Sequence, residues 1–317
     1  MAREGTSVHP QNPGASRRTA LTLGAATALT TLGLAGAGTA HAAGRPSGPA
    51  EDRIAARLRA LEERYDARLG VHAHDVRTGR TIAHRDRERF PMCSVFKTLA
   101  AAAVLRDLDH DGAFLARRLH YTADYVERSG WSPVTERAEN VAGGLTVAEL
   151  CDAAIRFSDN TAANLLLREL GGPTAVTRFA RSLGDPVTRL DRWEPELNSA
   201  EPWRITDTTT PRAIARTYGR LVLGRALAPA DRGLLTDWLL RNTTSDARFR
   251  KGLPADWTVA DKTGGGDYGG NNDVAVTWPP DGGPILLAVL TTRFDRAAKG
   301  VDELVAAAAA IVAEELR

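Results

Sequence analysis

Histidine is scarce in this chain of 317 residues, and all seven copies lie within the first 120 positions. His72 and His74 stand two apart on a predicted strand, where side chains at i and i+2 face the same way. No histidine lies beyond His120, in the later two thirds of the chain, to complete a zinc site with them or to serve as the base of a Ser-His-Asp triad. We therefore expect no metal ion and no cofactor, and we interpret both histidines as solvent-facing strand residues.

Cysteine and lysine are also few. The two cysteines, Cys93 and Cys151, are predicted to be buried thiols that pack as small apolar groups, although an exported protein could also bridge them. Arginine supplies most of the positive charge, but it cannot lose a proton to act as a base, whereas a desolvated lysine can. Lys97 is therefore a candidate for proton-transfer chemistry. The other lysines are Lys251, Lys262 and Lys299.

After residue 42 the chain lacks both an excess of charge and a long hydrophobic run. Basic and acidic side chains are equal in number there, so the surface offers no electrostatic attraction for nucleic acid or an anionic membrane. No run of about 20 apolar residues, the length that spans a bilayer, follows this point. We expect a monomer that acts on a small molecule, with no nucleic-acid or membrane partner.

Residues 1–42 have the composition of an export signal. The pair Arg17-Arg18 precedes an apolar run, and Ala40-His41-Ala42 supplies small residues for cleavage. This pattern is typical of twin-arginine export, but the Phe often found two positions after the pair is absent, so plain Sec export stays open. Residues 43–50 predict a flexible leader, and residues 51–317 predict a single secreted domain, extracellular or periplasmic.

The pattern of the remaining chain predicts an α+β protein. Helical spacing of apolar residues indicates a helix over 51–68, and the short runs 71–76 and 81–84 predict an antiparallel hairpin. From Ser94 to about residue 240 the pattern is helical with short loops. The later elements are predicted as strands over 257–264, 272–278 and 285–292 and a closing helix over 301–316.

Ser94 and Lys97 stand where a run of strong helix formers begins. Positions i and i+3 share a helix face, so the amine can lean toward the serine oxygen and, once neutral, accept its proton. Backbone N–H groups at the helix start can face a developing oxyanion. The alternative is a serine at the start of a core helix and a lysine whose stem packs along the surface.

Two further polar segments interrupt apolar regions. Ser158-Asp159-Asn160 lies between two apolar helices, where buried polar groups need partners, although these residue types are also ordinary helix caps. Residues 185–211 have no helical period and contain Glu194-Pro195-Glu196-Leu197-Asn198. A loop of this length inside a compact domain is usually functional.

Three motifs stand in one order, namely Ser94-x-x-Lys97, Ser158-Asp159-Asn160 and Lys262-Thr263-Gly264. Together with the Glu194 segment, they make residues 51–317 resemble a class A serine β-lactamase. The resemblance implies an α/β lobe over about 51–88 and 242–317, with a five-stranded antiparallel sheet and flanking helices, and an all-helical lobe over about 89–241. It also implies hydrolysis of penicillins and cephalosporins through a serine acyl-enzyme, which gives antibiotic resistance.

The resemblance further implies residue roles. Ser94 would be the nucleophile, Lys97 and Glu194 are both candidate bases for acylation, and Glu194 would be the base for deacylation. Ser158 would relay a proton to the leaving nitrogen, and the N–H groups of Ser94 and Gly265 would form the oxyanion hole. The predicted substrate-binding residues are Asn160, Asn198, Lys262, Thr263, Gly264, Gly265, Arg248 and Trp131.

The loop that carries Glu194 needs an anchor. Arg192 and Asp207 would bridge its neck, as similar residues do in the family. The alternative is a solvated ion pair, which contributes little to stability. Glu194-Pro195 resembles a bond that the family holds cis. Trp131 resembles an aromatic wall at the cleft mouth, with a surface-packed tryptophan as the alternative.

The cysteines depart from the bridges found in some family members. The position expected to pair with Cys151 holds Ala101, and the position expected to pair with Cys93 holds Gly266. Neither family disulfide can therefore form in this chain.

Two other functions share some of these features. A penicillin-binding D,D-peptidase has the same three motifs, but Glu194 and Asn198 favour a hydrolase, because deacylation requires a base near the ester. A β-lactam receptor would normally need a membrane span, which the sequence after the signal lacks.

Overall fold

The computed structural model describes residues 48–317, so the predicted export signal over 1–42 lies outside the described residues. In that range the helices, here α1 to α12, span Pro49–Tyr65, Phe96–Ala103, Ala113–Ala116, Ala123–Ser129, Ala138–Gly143, Val147–Arg156, Asn160–Glu169, Thr174–Ser182, Pro211–Val222, Pro229–Leu240, Phe249–Gly252 and Asp302–Leu316. None of these helices is long and apolar enough to cross a membrane.

The strands of the same region build one five-stranded antiparallel sheet and two short ladders. The sheet has the order β2-β1-β9-β8-β7, and β3 pairs with β6 while β4 pairs with β5. The α+β class and the five-stranded sheet predicted from the sequence are confirmed. The strands β1 to β9 span Arg68–Asp75, Thr81–His84, Phe90–Pro91, Arg118–Leu119, Leu145–Thr146, Thr208–Thr209, Thr258–Gly266, Gly270–Trp278 and Ile285–Thr292.

Both faces of the central strands are covered. Leu287 and Val289 face a core to which α1 and α12 contribute. Val276 and Leu286 face a second core, formed with α2 and with α6 to α10, here called the helical region. Every residue of β9 is buried, which explains why its sequence is a continuous apolar run rather than an alternating one. Each such buried Leu or Val stabilises the fold by roughly 1.5–3 kcal/mol.

Helix α2 lies inside the helical region. All eight of its residues are buried, and it contacts α6, α7, α8 and α10. Six of its eight residues are Phe, Leu or Ala, which suits such a position because no face has to meet water. The 3₁₀ turn Cys93–Val95 leads directly into it, so the predicted helix start at Ser94 is confirmed.

The prediction for the strand histidines is wrong at His72. Its side chain is only 2% exposed, and its Nδ1 lies 3.0 Å from Oδ2 of Asp86. Helix α9 contacts β1, and its docking covers a strand face that the sequence alone leaves open. His74 is partly exposed, with Nδ1 3.0 Å from the Thr81 hydroxyl.

Candidate active site

The Ser94 hydroxyl lies where the start of α2 meets β7. A Cβ on Gly264 would stand 2.8 Å from the Met92 carbonyl oxygen and 3.3 Å from the Ser94 nitrogen, so only glycine allows this approach. Asn272 on β8 donates its side-chain amide to the carbonyl oxygens of Pro91 and Met92, at 2.9 and 3.2 Å. The turn that carries Ser94 is therefore fixed to the sheet.

Lys97 is fully buried, and its ammonium meets three acceptors. Its Nζ lies 2.8 Å from the Ser158 carbonyl oxygen, 2.7 Å from Oδ1 of Asn160 and 3.0 Å from Oε1 of Glu194. An ammonium has three protons to donate, and these acceptors match them in number. The approach of Lys97 to the Ser94 hydroxyl, expected from their spacing, is not among the hydrogen bonds of residues 48–317.

Glu194 lies beside the Ser94 hydroxyl. The Ser94 hydroxyl donates to its Oε1 at 3.3 Å, and the Asn198 side chain donates to its Oε2. The carboxylate is almost completely buried, and the peptide bond to Pro195 is cis. A hydroxyl, an ammonium and a carboxylate thus meet within hydrogen-bonding distance, the arrangement that activates a serine nucleophile.

The loop around Glu194 is closed at its neck by Arg192 and Asp207. The Arg192 Nε lies 2.6 Å from Oδ2 of Asp207, and Oδ1 of Asp207 accepts the backbone N–H groups of Asp191 and Arg192 at 2.7 and 3.0 Å. Asp207 is only 1% exposed, so the alternative of a solvated pair does not apply. A 3₁₀ turn, Glu196–Ser199, shapes the loop between them.

Residues 158–160 lie at the start of helix α7 and are hydrogen-bonded to the segment that carries Trp131. Asp159 caps that helix, and Ser158 before it has a positive φ of 57°. The Asn160 backbone N–H donates to the Trp131 carbonyl oxygen at 2.8 Å. The Trp131 ring is 66% exposed, and its Nε1 donates to the Phe157 carbonyl oxygen at 3.1 Å.

Lys262 and Thr263 lie on β7, next to the turn that carries Ser94. Lys262 is fully buried, and its Nζ donates to the Thr263 carbonyl oxygen at 2.9 Å. Burial, followed by the nearby positive charge of Lys97, holds the Lys262 pKa well below its ordinary value. The Thr263 hydroxyl is hydrogen-bonded to the Thr244 hydroxyl.

Arg248 reaches the same strand from the loop before α11. Its Nη1 donates to the carbonyl oxygens of Gly264 and Asn272 at 3.1 and 2.9 Å, and its Nε pairs with Asp302 at 2.7 Å. Much of its hydrogen-bonding capacity therefore ties β7 and β8 to α12.

The analysis of the sequence missed Asn164. This residue is buried in α7, four positions after Asn160 and so on the same helix face. Its Nδ2 donates to the Glu194 carbonyl oxygen at 2.9 Å, and its Oδ1 accepts the Glu194 N–H at 3.0 Å. The sequence does contain a signal for this residue, because Asn164 is an amide side chain within an otherwise apolar helical run.

Both cysteines are free and buried, which confirms the prediction of two packed thiols. Burial, with the charges of Glu194 and Asp207 adding to it, raises the Cys93 pKa to about 12. A Cβ on Gly266 would lie 2.9 Å from the Cys93 sulfur, so position 266 does adjoin Cys93.

Comparison with known proteins agrees with this geometry. Residues 53–316 match the profile described as the beta-lactamase enzyme family. The chain belongs to this family, and within it the chain is a class A enzyme, a serine hydrolase. β-Lactams are accordingly its substrate class, and antibiotic resistance is the outcome of their hydrolysis.

Its relatives match over most of their length. A β-lactamase of Streptomyces fradiae is 65% identical over 302 residues, covering 95% of this chain and 97% of the relative. The solved β-lactamase of Streptomyces albus G has a TM-score of 0.83 and 64% identity, covering 84% of this chain and 100% of that chain. A solved variant of the last common ancestor of Gram-negative class A β-lactamases has a TM-score of 0.78 and 52% identity, covering 83% of this chain and 98% of that chain.

Proposed function

We propose that the enzyme opens the lactam ring of penicillins and cephalosporins through an acyl-enzyme on Ser94, and that Glu194 is its base. One observation carries this proposal. Oε1 of Glu194 lies 3.3 Å from the Ser94 hydroxyl oxygen and 3.0 Å from the Lys97 nitrogen. A nucleophile and a base within hydrogen-bonding reach, with a third group orienting the base, are what covalent catalysis by serine requires.

In acylation, the Ser94 oxygen attacks the lactam carbonyl carbon while its proton passes to Glu194, directly or through one water. Lys97 is not assigned as the base, because each of its three ammonium protons already has an acceptor. Its positive charge pairs with the Glu194 carboxylate at 3.0 Å and holds it close to the hydroxyl. The oxyanion that forms accepts the backbone N–H groups of Ser94 and Gly265.

In collapse, the carbon–nitrogen bond breaks and the nitrogen takes a proton from the Ser158 hydroxyl. Ser158 regains a proton from Lys97, and Lys97 regains one from Glu194, which held the proton of Ser94. The proton count closes, and Glu194 is again a carboxylate. The 3.0 Å contact between Lys97 and Glu194 supports the last of these transfers, and the 2.8 Å contact with the Ser158 carbonyl oxygen keeps the ammonium beside that residue.

In deacylation, Glu194 takes a proton from a water that attacks the ester carbonyl. The ester bond breaks, the proton returns to the Ser94 oxygen, and the product leaves as a ring-opened amino acid. Asn198 holds the carboxylate through its side-chain amide, so it orients the base and the attacking water together. This step separates the enzyme from a D,D-peptidase, which shares the acyl-enzyme but holds the lactam adduct.

Substrate binding is assigned to groups on either side of Ser94. Lys262, Thr263 and Arg248 receive the substrate carboxylate, and a charged hydrogen bond of this kind contributes about 1.5–3 kcal/mol. Asn160 binds the side-chain amide of the substrate, and the exposed Trp131 forms a wall of the cleft. Gly264 allows β7 to pass close to the nucleophile.

The remaining assignments come from the sequence pattern. We propose that residues 1–42 direct export and are removed, and that the secreted domain acts as a monomer without nucleic acid or membrane. The division into an α/β lobe, about 51–88 and 242–317, and a helical lobe, about 89–241, belongs to the same proposal.

Two measurements test the mechanism. Hydrolysis of benzylpenicillin and of a chromogenic cephalosporin should be catalytic, and mass spectrometry of Ser94→Ala with either compound should show no covalent adduct. Ser182→Ala changes an exposed residue of α8 whose hydroxyl donates only to the Phe179 carbonyl oxygen of the same helix, and it should behave as the parent enzyme does. An adduct on Ser94→Ala would disprove the assigned nucleophile.

A further inference from the structure

A cavity of about 400 Å³ lies at the base of the loop that carries Glu194. Residues 184–187 line it where the loop begins, and Thr210, Arg212 and Ala213 line it where the loop ends. Its volume is within the range of small-molecule sites, about 300–1,000 Å³. The charged side chains that line it are Arg87, Asp185, Arg212, Arg216 and Arg220.

Three of these arginines form one stripe along α9. Arg212, Arg216 and Arg220 are spaced by four residues, so they project from one helix face about 6 Å apart along its axis. Arg87, from the segment after β2, lines the same cavity. Four guanidinium groups therefore surround one concave space of limited size.

The lining carboxylate is already engaged elsewhere. Oδ1 of Asp185 accepts the backbone N–H groups of Val187 and Thr188 at 2.8 and 2.9 Å, and Oδ2 accepts the hydroxyls of Thr188 and Thr217. Asp185 is only 3% exposed. Asp86, the other nearby acid, has its Oδ2 3.0 Å from His72, and its charge offsets only part of the repulsion at Arg216. Within residues 48–317, neither Asp86 nor Asp185 forms an ion pair with these arginines.

The Arg220 Nη1 donates to the Leu183 carbonyl oxygen, but two of the other arginines have nitrogens without direct partners in the described part of the chain. Arg212 has a buried Nε without a hydrogen bond, and among residues 48–317 the Arg216 side chain makes neither a hydrogen bond nor an ion pair. Burial, followed by the charges of Arg212, Arg220 and Arg87, lowers the Arg216 pKa. Like charges repel one another here, and that repulsion costs stability until a counter-charge is bound.

We propose that this cavity binds a polyvalent phosphate anion, such as one with two or three linked phosphate groups. Planar guanidinium groups match phosphate oxygens with paired hydrogen bonds, which makes arginine the preferred residue for this ligand. The length of the stripe on α9 suits several linked groups better than one. The bound anion would join the two chain segments at the base of the Glu194 loop and relieve the repulsion among the arginines.

The test adds inorganic triphosphate to the full enzyme. Binding is measured by titration calorimetry, and stability is measured by thermal unfolding. We expect saturable binding and a rise in Tm that sodium chloride at equal ionic strength does not reproduce. Inorganic phosphate should bind more weakly, and citrate, a polyvalent carboxylate, should bind more weakly than triphosphate. No saturable binding, or tighter binding of citrate, would overturn the proposal.

Arg216→Gln supplies the matched variant. It should weaken triphosphate binding about tenfold or more, since one charged contact is lost, and it should raise Tm in buffer free of polyvalent anions. Arg59→Gln removes the same charge from an exposed position on α1 and should bind triphosphate as the parent does. Equal weakening in both variants would mean that only overall charge matters, and would overturn the site.

Discussion

Asn164 pairs with both backbone polar groups of Glu194. One side-chain amide donates to the Glu194 carbonyl oxygen and accepts the Glu194 N–H, so a helix residue and a loop residue are joined as strands are joined in a sheet. The position of the Glu194 carboxylate thus depends on α7 as well as on the ion pair at the loop neck.

Replacing Asn164 should therefore affect turnover. Asn164→Ala leaves two buried backbone groups without partners, a cost of about 2–3 kcal/mol in the free energy of unfolding. We expect a lower Tm and a lower kcat, with deacylation slowed more than acylation. The control is Asn140→Ala on α5, which removes an amide hydrogen bond to the Val134 carbonyl oxygen. This variant should have a lower Tm and an unchanged kcat. An unchanged kcat in Asn164→Ala would refute this role.

The ion pair at the loop neck should contribute measurably to stability. Asp207→Asn removes one charge of a pair in which Asp207 is buried and Arg192 is partly exposed. We expect a loss of about 2–3 kcal/mol in chemical denaturation, below the roughly 3–5 kcal/mol of a fully buried pair. Asp124→Asn breaks the exposed pair with Arg128 and should cost less than about 1 kcal/mol. Equal losses in the two variants would contradict the anchoring role of Asp207.

The lowered pKa of Lys262 predicts a pH dependence of substrate binding. In the proposed role the ammonium form binds the substrate carboxylate, and burial together with the charge of Lys97 disfavours that form. As pH rises through the lowered pKa, the charge is lost, so KM should rise at a lower pH than the titration of an ordinary lysine, about 10.4, would predict. Lys262→Arg stays charged and should keep KM nearly constant over that range. Parallel KM profiles for the two enzymes would exclude Lys262 as the titrating group.

The cysteines should be unreactive in the native enzyme. Burial raises the pKa of both thiols, that of Cys93 to about 12, and the thiolate is the reactive form. Dithionitrobenzoate at pH 8 should label neither thiol in the folded enzyme and both in guanidinium chloride. Cys151→Ala should then show one thiol after unfolding. Rapid labelling of the folded parent, or no labelling after unfolding, would contradict two buried free thiols.

Local patterns predicted the regular elements well. The strand over 81–84 has the predicted bounds, Thr81–His84, and the strand over 285–292 is Ile285–Thr292. Both are short apolar or β-branched runs between Gly, Pro or Asn turns, so neighbouring residues alone determine them. Local sequence also accounts for the start of α6 at Val147, where Thr146 and Glu149 form a capping box.

Long-range contacts could not be predicted in the same way. The spacing of Ser94 and Lys97 predicted a contact within one helix face, whereas the amine pairs with Glu194, nearly one hundred positions away in the chain. His72 is buried because α9 docks on β1, and the sequence of β1 does not contain that information. Asn164 was overlooked for the same reason, since its partner lies on another loop.

The role of Glu194 is tested most directly by mass spectrometry of Glu194→Gln with benzylpenicillin. The variant keeps the volume of the side chain but cannot accept a proton, so we expect the covalent adduct to form more slowly and then to persist. Turnover should fall by about 10²–10⁴-fold, the usual contribution of a general base. Turnover at the parent rate, with no lasting adduct, would contradict the assignment of Glu194 as the base.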